Sequence, residues 1–318
     1  MEMDIFTALA AMFPDAGSRL KEKELMSEYT TFRLGGPADC LFLPSGISEL
    51  KSVLEFAANN KIIVTLLGRG SNVIISDSGI RGLTIMISEH MSSIVCEGST
   101  LIAEAGASLA ALSGTAANSS LCGLEFASGI PGAVGGGVMM NAGAYDGCLA
   151  DSLIWTEYLD DNNELKRLEA DQHEFGYRSS FFTGSSKVIV RSAFELKPGS
   201  YDSIITKMAD LAARRRASQP LEKPSAGSAF KRPVGHYAGK LISDCGLKGY
   251  TYGGAGVSEK HAGFIVNLGS ASASDVLAVF CHVQRIVFKE TGVLLEPEVR
   301  FAGDWNGDLS VLTGCHSI

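Results

Sequence analysis

Two spacings of apolar residues alternate along the chain. Residues 38–43 form a short apolar run of strand length. Ile47, Leu50, Val53, Leu54 and Ala57 then recur at helical spacing, with Ser48 near the start and Asn59-Asn60 at the stop. Residues 62–67 return to a strand pattern, so the stretch predicts a small βαβ unit. The β-branched runs at 73–76 and 83–87 predict further strands. Residues 94–106 read as one strand and 108–118 as a short Ala-rich helix. Residues 154–159 and 164–168 read as a hairpin, because 160–163 gathers turn formers. A strand over 187–196 is closed by Pro198-Gly199, and Ile204, Ile205, Met208, Leu211 and Ala212 mark a helix that breaks at Pro220.

The segment 217–228 holds Pro220 and Pro224 and few large apolar groups, which predicts a boundary. Beyond it, Val276, Val279, Phe280, Val283, Ile286 and Val287 define one long helix, with Ser274 as its N-cap and Gly292 as its stop. A final strand is expected where Val293, Leu295, Pro297, Val299 and Phe301 alternate with Leu294, Glu296, Glu298 and Arg300. That alternation turns Glu298 away from the apolar face.

Two glycine-rich stretches interrupt these elements: Gly68-Arg69-Gly70-Ser71-Asn72, and 128–147, which carries glycines at 129, 132, 135, 136, 137, 143 and 147. Glycine loses more backbone freedom on folding than any other residue, so such runs suit places where the main chain must approach something closely. Bare N–H groups in a turn form a concavity for anions, phosphate above all. No Lys-Ser or Lys-Thr follows the glycines as a Walker loop requires, and the spacing is not GxGxxG between strand and helix. The residues leave open which phosphate-bearing ligand is held, or whether these are only tight turns.

A formal net charge of -8 disfavours a nonspecific nucleic-acid binder, which needs a broad basic surface. The run Arg214-Arg215-Arg216 ends a helical pattern and reads as a complement to that helix's C-terminal dipole, facing water. Cysteines at 40, 96, 122, 148, 245, 281 and 315 are odd in number and form no CxxC, which favours reduced thiols over a disulfide framework or a zinc site. Glu2 and Asp4 stand where a secretory signal would be positive, and no run of 18 apolar residues occurs. The expectation is a cytoplasmic protein without a metal or a membrane segment.

Seven motifs then occur in order: TTFRLGGPA (30–38), LLGRGSNVIISD (66–77), GLEFASGIPGAVGGGVMMNAGAY (123–145), FGYRSSFF (175–182), KPSAGSAFKRP (223–233), AGKLI (238–242) and LEPEVRF (295–301). In these the chain resembles the UDP-N-acetylenolpyruvoylglucosamine reductase family, over about residues 24–303. The resemblance implies an α+β protein: a two-subdomain FAD-binding fold of the PCMH type plus a smaller α+β substrate-binding domain. It implies an N-terminal extension (1–23), FAD subdomains at 24–92 and 93–218, a substrate domain at 219–303 and a tail (304–318). It implies noncovalent FAD, NADPH as reductant, and reduction of UDP-N-acetylglucosamine enolpyruvate to UDP-N-acetylmuramate in peptidoglycan precursor synthesis.

The same resemblance distributes roles. Gly68, Arg69, Gly70, Ser71, Asn72, Ser128, Gly129, Ile130, Pro131, Gly132, Gly135 and Gly136 would cradle FAD, with Asn141 and Tyr145 near the flavin. Arg178 would grip the substrate carboxylate, Ser228 would donate a proton to C2, and Glu298 would sit opposite Arg178. Lys231, Arg232, Lys240 and His261 are candidates for the substrate's diphosphate, although the family often has Asn where Arg232 stands. The tyrosine-bearing loop of the longer subclass is absent, which marks the shorter subclass. Read without the resemblance, Arg178 could close a strand end against an acid, Ser228 could bond its own turn, and Glu298 could be a solvated carboxylate. The competing functions are another FAD-dependent oxidoreductase of the same fold, often with flavin tethered to a histidine that neither loop contains, or a flavin or sugar-nucleotide binder without turnover.

Overall fold

The computed structural model describes residues 4–312, so Glu2 and Cys315 lie outside the described residues. Helix α1 (Ile5–Met12) is capped by Asp4 and leads into a four-stranded sheet. Its strand order is Leu20–Leu25, Pro37–Phe42, Ile80–Met86, Val64–Leu67. Pro37–Phe42 and Val64–Leu67 both run parallel to Ile80–Met86, which lies between them, and α2 (Ile47–Asn59) makes the crossover. The helical spacing is the reason: Leu50, Val53 and Ala57 fall on one face of α2 and are buried there.

A second, five-stranded antiparallel sheet has the order Leu165–Glu169, Leu153–Leu159, Val188–Glu195, Thr100–Glu104, Ile94–Glu97. The single strand expected over 94–106 is therefore a hairpin. Gly98 turns it at a φ of 64°, a conformation that glycine adopts without a Cβ clash. Packed around this sheet are α3 (Leu109–Asn118), N-capped by Ser108, α4 (Val134–Met139) and α5 (Tyr201–Ser218). One apolar core runs through both sheets, from Leu9 and Phe42 to Phe194 and Leu211.

The third unit joins α6 (Ala238–Asp244), a sheet of Thr251–Tyr252, Ala255–Val257 and Ile265–Asn267, and α7 (Ala273–Thr291). Its core includes Phe32, Leu34 and Ile74 from early in the chain and Trp305 and Leu312 from its end. Gly292 stops α7 in the left-handed region as expected, but the N-cap is Ser272, not Ser274. Ser274 is inside the first turn, where its N–H and hydroxyl both donate to Asp77, a carboxylate arriving from the first unit.

The alternating run at 293–301 is not one long strand. Only Arg300–Ala302 is a strand, pairing in parallel with Val73–Ile75. Upstream, Pro297 has no N–H to offer a ladder. That part of the chain is instead pinned to residues 229–231, through Lys231 N–H to the Glu296 carbonyl and Glu298 N–H to the Ala229 carbonyl.

Candidate active site

The two glycine-rich stretches face each other across one cleft of about 1280 Å³. They approach closely enough that a Cβ built on Gly68 would lie 3.7 Å from that of Ala133. The backbone N–H groups of Gly68, Arg69, Gly70, Ser71, Asn72 and Gly132 donate to no acceptor among the described residues. Such a row of unspent donors is a nest for an anion.

The glycines divide by what surrounds them. Gly70 has a φ of 61°, and a side chain there would collide with the Tyr29 carbonyl. A Cβ built on Gly135 would lie only 3.0 Å from the Ala105 side chain, and one on Gly137 would press against Leu109 and Leu149, so their absence lets α4 lie against the sheet. A Cβ on Gly136 meets nothing within 4 Å; it would project into the cleft. The long glycine run is thus partly a helix, with packing on one side and an open approach on the other.

Of the residues expected at the cofactor, all but two line this cleft, Tyr145 included. Ser128 does not, because it lies in a 3-10 turn with its hydroxyl donating to the Glu125 carbonyl. Asn141 does not either. Its carboxamide ties the Gly176 carbonyl to the Ala150 N–H behind the cleft wall. Tyr145 lies at a φ of 57° and donates its hydroxyl to the Leu211 carbonyl.

The cleft reverses the charge of the chain. Six arginines and two lysines line it against four carboxylates. One of them corrects the expectation for the Arg214–216 run. Arg215 does not face water: it turns inward, its Nε donating to Gln219 at 2.8 Å while its guanidinium crowds Gly129. Burial pushes its pKa down, since desolvation disfavours the cation. Arg216 lines the cleft as well, whereas Arg214 does not and pairs with Asp210 one helical turn before it.

A second cavity of about 360 Å³ opens beside the first. Among the described residues, Arg178, Ser228 and Glu298 are the three that line both. Arg178 sits at a φ of 56°, a strained conformation for an arginine. Its Nε donates to Glu298 Oε1 at 2.6 Å, and its Nη1 reaches the Gly143 carbonyl at 3.4 Å. The Glu298 side chain is 11% exposed, so it is not a solvated carboxylate. Burial raises its pKa, and this outweighs the opposing pull of Arg178. Glu296, by contrast, is exposed and pairs with Lys231. Ser228 is held by an isolated bridge to Phe264, and its hydroxyl makes no hydrogen bond among the described residues.

The second cavity is also basic. Arg232 stacks over the Tyr237 ring at 4.1 Å, and its backbone N–H donates to the Tyr177 hydroxyl. Lys240 lines the cavity with its ammonium 2.6 Å from Asp244. His261 lines it too, its Nδ1 accepting the Gly263 N–H; burial lowers its pKa. Lys231 lines neither cavity. Lys248 and Lys260 line the second one and went unseen in the sequence, as did Arg300 in the first. Isolated cations carry no spacing signal.

The cleft fits FAD. A long phosphate-bearing cofactor needs a nest of donors, positive charge and a volume beyond the ~300–1,000 Å³ of ordinary small-molecule sites, and all three are present. Residues 38–169 match the family described as FAD binding domain. Fold and cleft together define the class: an FAD-dependent oxidoreductase with a third domain set against the cofactor-binding pair.

Residues 219–302 match the family described as UDP-N-acetylenolpyruvoylglucosamine reductase, C-terminal domain. A UDP-N-acetylenolpyruvoylglucosamine reductase of Lactiplantibacillus plantarum is 45% identical over 92% of this chain and 96% of its own length. One from Caldanaerobacter subterraneus subsp. tengcongensis is 44% identical over 90% and 94%. The crystal structure of the Thermus caldophilus enzyme superposes with a TM-score of 0.77 at 36% identity, covering 89% of this chain and 98% of that one. The chain belongs to the UDP-N-acetylenolpyruvoylglucosamine reductase family.

Among the described residues, no helix is long and apolar enough to cross a membrane, and no three His, Cys, Asp or Glu side chains gather to hold a metal.

Proposed function

We propose that this protein uses NADPH to reduce UDP-N-acetylglucosamine enolpyruvate to UDP-N-acetylmuramate, a step in making peptidoglycan precursors, with noncovalent FAD in the large cleft. The observation that carries the residue assignment is the junction: Arg178, Ser228 and Glu298 line both cavities, between the amide nest and the basic pocket. When bound, FAD supplies the two-electron chemistry that links NADPH to the enolpyruvyl double bond. The Gly68–Asn72 amides and Gly132 hold its diphosphate, with Arg215 as a nearby cation.

Arg178 receives the substrate carboxylate. Its guanidinium stays protonated and forms two parallel bonds to a carboxylate, so it stabilises the charge that spreads there as C2 becomes an enolate. Glu298 fixes the guanidinium through Nε and leaves its terminal nitrogens for the ligand. Ser228 donates the proton to C2: its hydroxyl has no competing partner among the described residues, and an enolate is basic enough to take a proton from a positioned hydroxyl. Arg232, Lys240 and His261 line the pocket for the UDP diphosphate, joined by Lys248 and Lys260. Lys231, held at Glu296, acts on Glu298 through its field.

The test is NADPH oxidation by purified, yellow protein with and without UDP-N-acetylglucosamine enolpyruvate. Consumption only with the enolpyruvyl sugar nucleotide is expected. Equal rates without it would leave an oxidase-like flavoprotein, and yellow colour retained through acid precipitation would point to covalent flavin.

A further inference from the structure

Arg178 and Glu298 cancel. Their ion pair at 2.6 Å brings no net charge to the place where the cofactor and the enolpyruvyl group must meet. Yet the reaction puts negative charge there twice. FAD held in this cleft would accept a hydride, two electrons and a proton, from NADPH, releasing NADP⁺, and its ring would then carry one further negative charge. When the hydride moves on to the substrate, the charge passes to the enolate and is removed by a proton. A net cation is needed beside the ring, and electrostatics in a water-poor site is the largest lever available.

Arg300 is that cation by position. It lies two residues beyond Glu298 and lines the same cleft. Its backbone N–H donates to the carbonyl of Asn72, the last residue of the amide nest. Its guanidinium reaches across to Met139, with Nη1 3.2 Å from the thioether sulfur. Met139 is four residues before Gly143, whose carbonyl Arg178 touches, so both arginines converge on one stretch of the cleft wall. No carboxylate pairs with Arg300 among the described residues, and a neutral sulfur is a poor partner for a charge. Burial lowers its pKa. A half-buried, unpaired guanidinium is costly to keep unless a ligand brings the anion.

We infer that Arg300 is the charge partner of the reduced cofactor, its guanidinium set beside the N1–C2=O edge of the FAD ring. The inference rests on the flavin reading above, and its test separates the two. Sulfite adds to flavin N5 and leaves the same negative charge on the N1–C2=O edge, bleaching the yellow colour without NADPH or substrate. Sulfite is titrated into wild-type holoprotein and into Arg300→Met and Arg300→Lys, with FAD affinity and midpoint potential measured on each.

Arg300→Met is expected to weaken sulfite binding by about ten- to a hundred-fold, the usual worth of a charge-assisted contact, and to lower the midpoint potential. FAD affinity should change little, and Arg300→Lys should restore most of the sulfite affinity. If sulfite affinity and potential stay unchanged while FAD binding weakens, Arg300 serves the diphosphate and the inference fails. It fails equally if only the KM for the enolpyruvyl substrate rises. Should Arg300→Met not fold, Arg300→Lys decides by potential: a value near wild type upholds the inference, and a full loss of sulfite binding in a well-folded lysine variant overturns it. A wild-type protein that binds no FAD would remove the flavin reading itself.

Discussion

Arg178 Nε donates to Glu298 Oε1 across 2.6 Å, and this pair ties the second-sheet unit to the third unit at the mouth of both cavities. Glu298 keeps a raised pKa because burial outweighs the arginine. Between the ordinary glutamate value of 4.5 and the higher folded value, the folded state therefore holds a proton that the unfolded state has lost. Stability from that proton is complete below the ordinary value and disappears as pH rises through the higher folded value. Thermal midpoints of the cofactor-free protein should fall over that window, and Glu298→Gln should flatten the curve. An identical slope in both proteins would contradict the buried-acid reading.

Ser228 is expected to matter in one half of the reaction only. In Ser228→Ala, cofactor reduction by NADPH should survive, while reoxidation by the enolpyruvyl substrate slows by about 10²–10⁴-fold, the range for a lost proton donor. Stopped-flow traces of the two half-reactions check this. Equal slowing of both would mean that the serine only shapes the site.

The glycines of α4 should respond in opposite ways. Gly136→Leu projects into the cleft, so the protein should fold, melt no lower than wild type, and stay colourless at FAD concentrations that saturate the unaltered chain. Gly135→Leu pushes into Ala105 and should cost about 1–3 kcal/mol of stability before any ligand is added. Urea melts and FAD titrations on the two variants tell packing from ligand clearance.

His173 adds an acid-sensitive point under the Arg178 loop. It is fully buried, with Nδ1 2.8 Å from the Glu169 carbonyl and Nε2 2.9 Å from Thr156 Oγ1, while its own carbonyl accepts the Phe181 N–H. Burial lowers its pKa. The unfolded chain then binds the extra proton first, so stability is present above about pH 6.5 and is lost as pH falls through the lower folded value. His173→Gln should reduce the acid slope of the urea midpoint. An unchanged slope would place the acid lability elsewhere.

The elements that periodicity carries well were legible beforehand. The α2 stripe, the turn formers at 160–163, the Gly292 stop and the seven ordered motifs depend on local pattern or on direct likeness, and these act over a few residues. The failures have two causes. The broken strand around Pro297 and the inward Arg215 were decided by partners far away in sequence, residues 229–231 and the Gly129 loop, whereas the hairpin turned at Gly98 and the Ser272–Asp275 capping box are local features that the spacing of apolar residues does not carry.

By itself the sequence determined where bare backbone is concentrated and which family the chain resembles, because glycine content and motif order are properties of the chain alone. Only the tertiary structure decided which cations lost their solvent and which kept a carboxylate. Arg178 is paired with Glu298, whereas Arg300 and Arg215 have no carboxylate beside them among the described residues. Burial and pairing arise only when distant segments meet, and they set the charge the site can offer to a ligand.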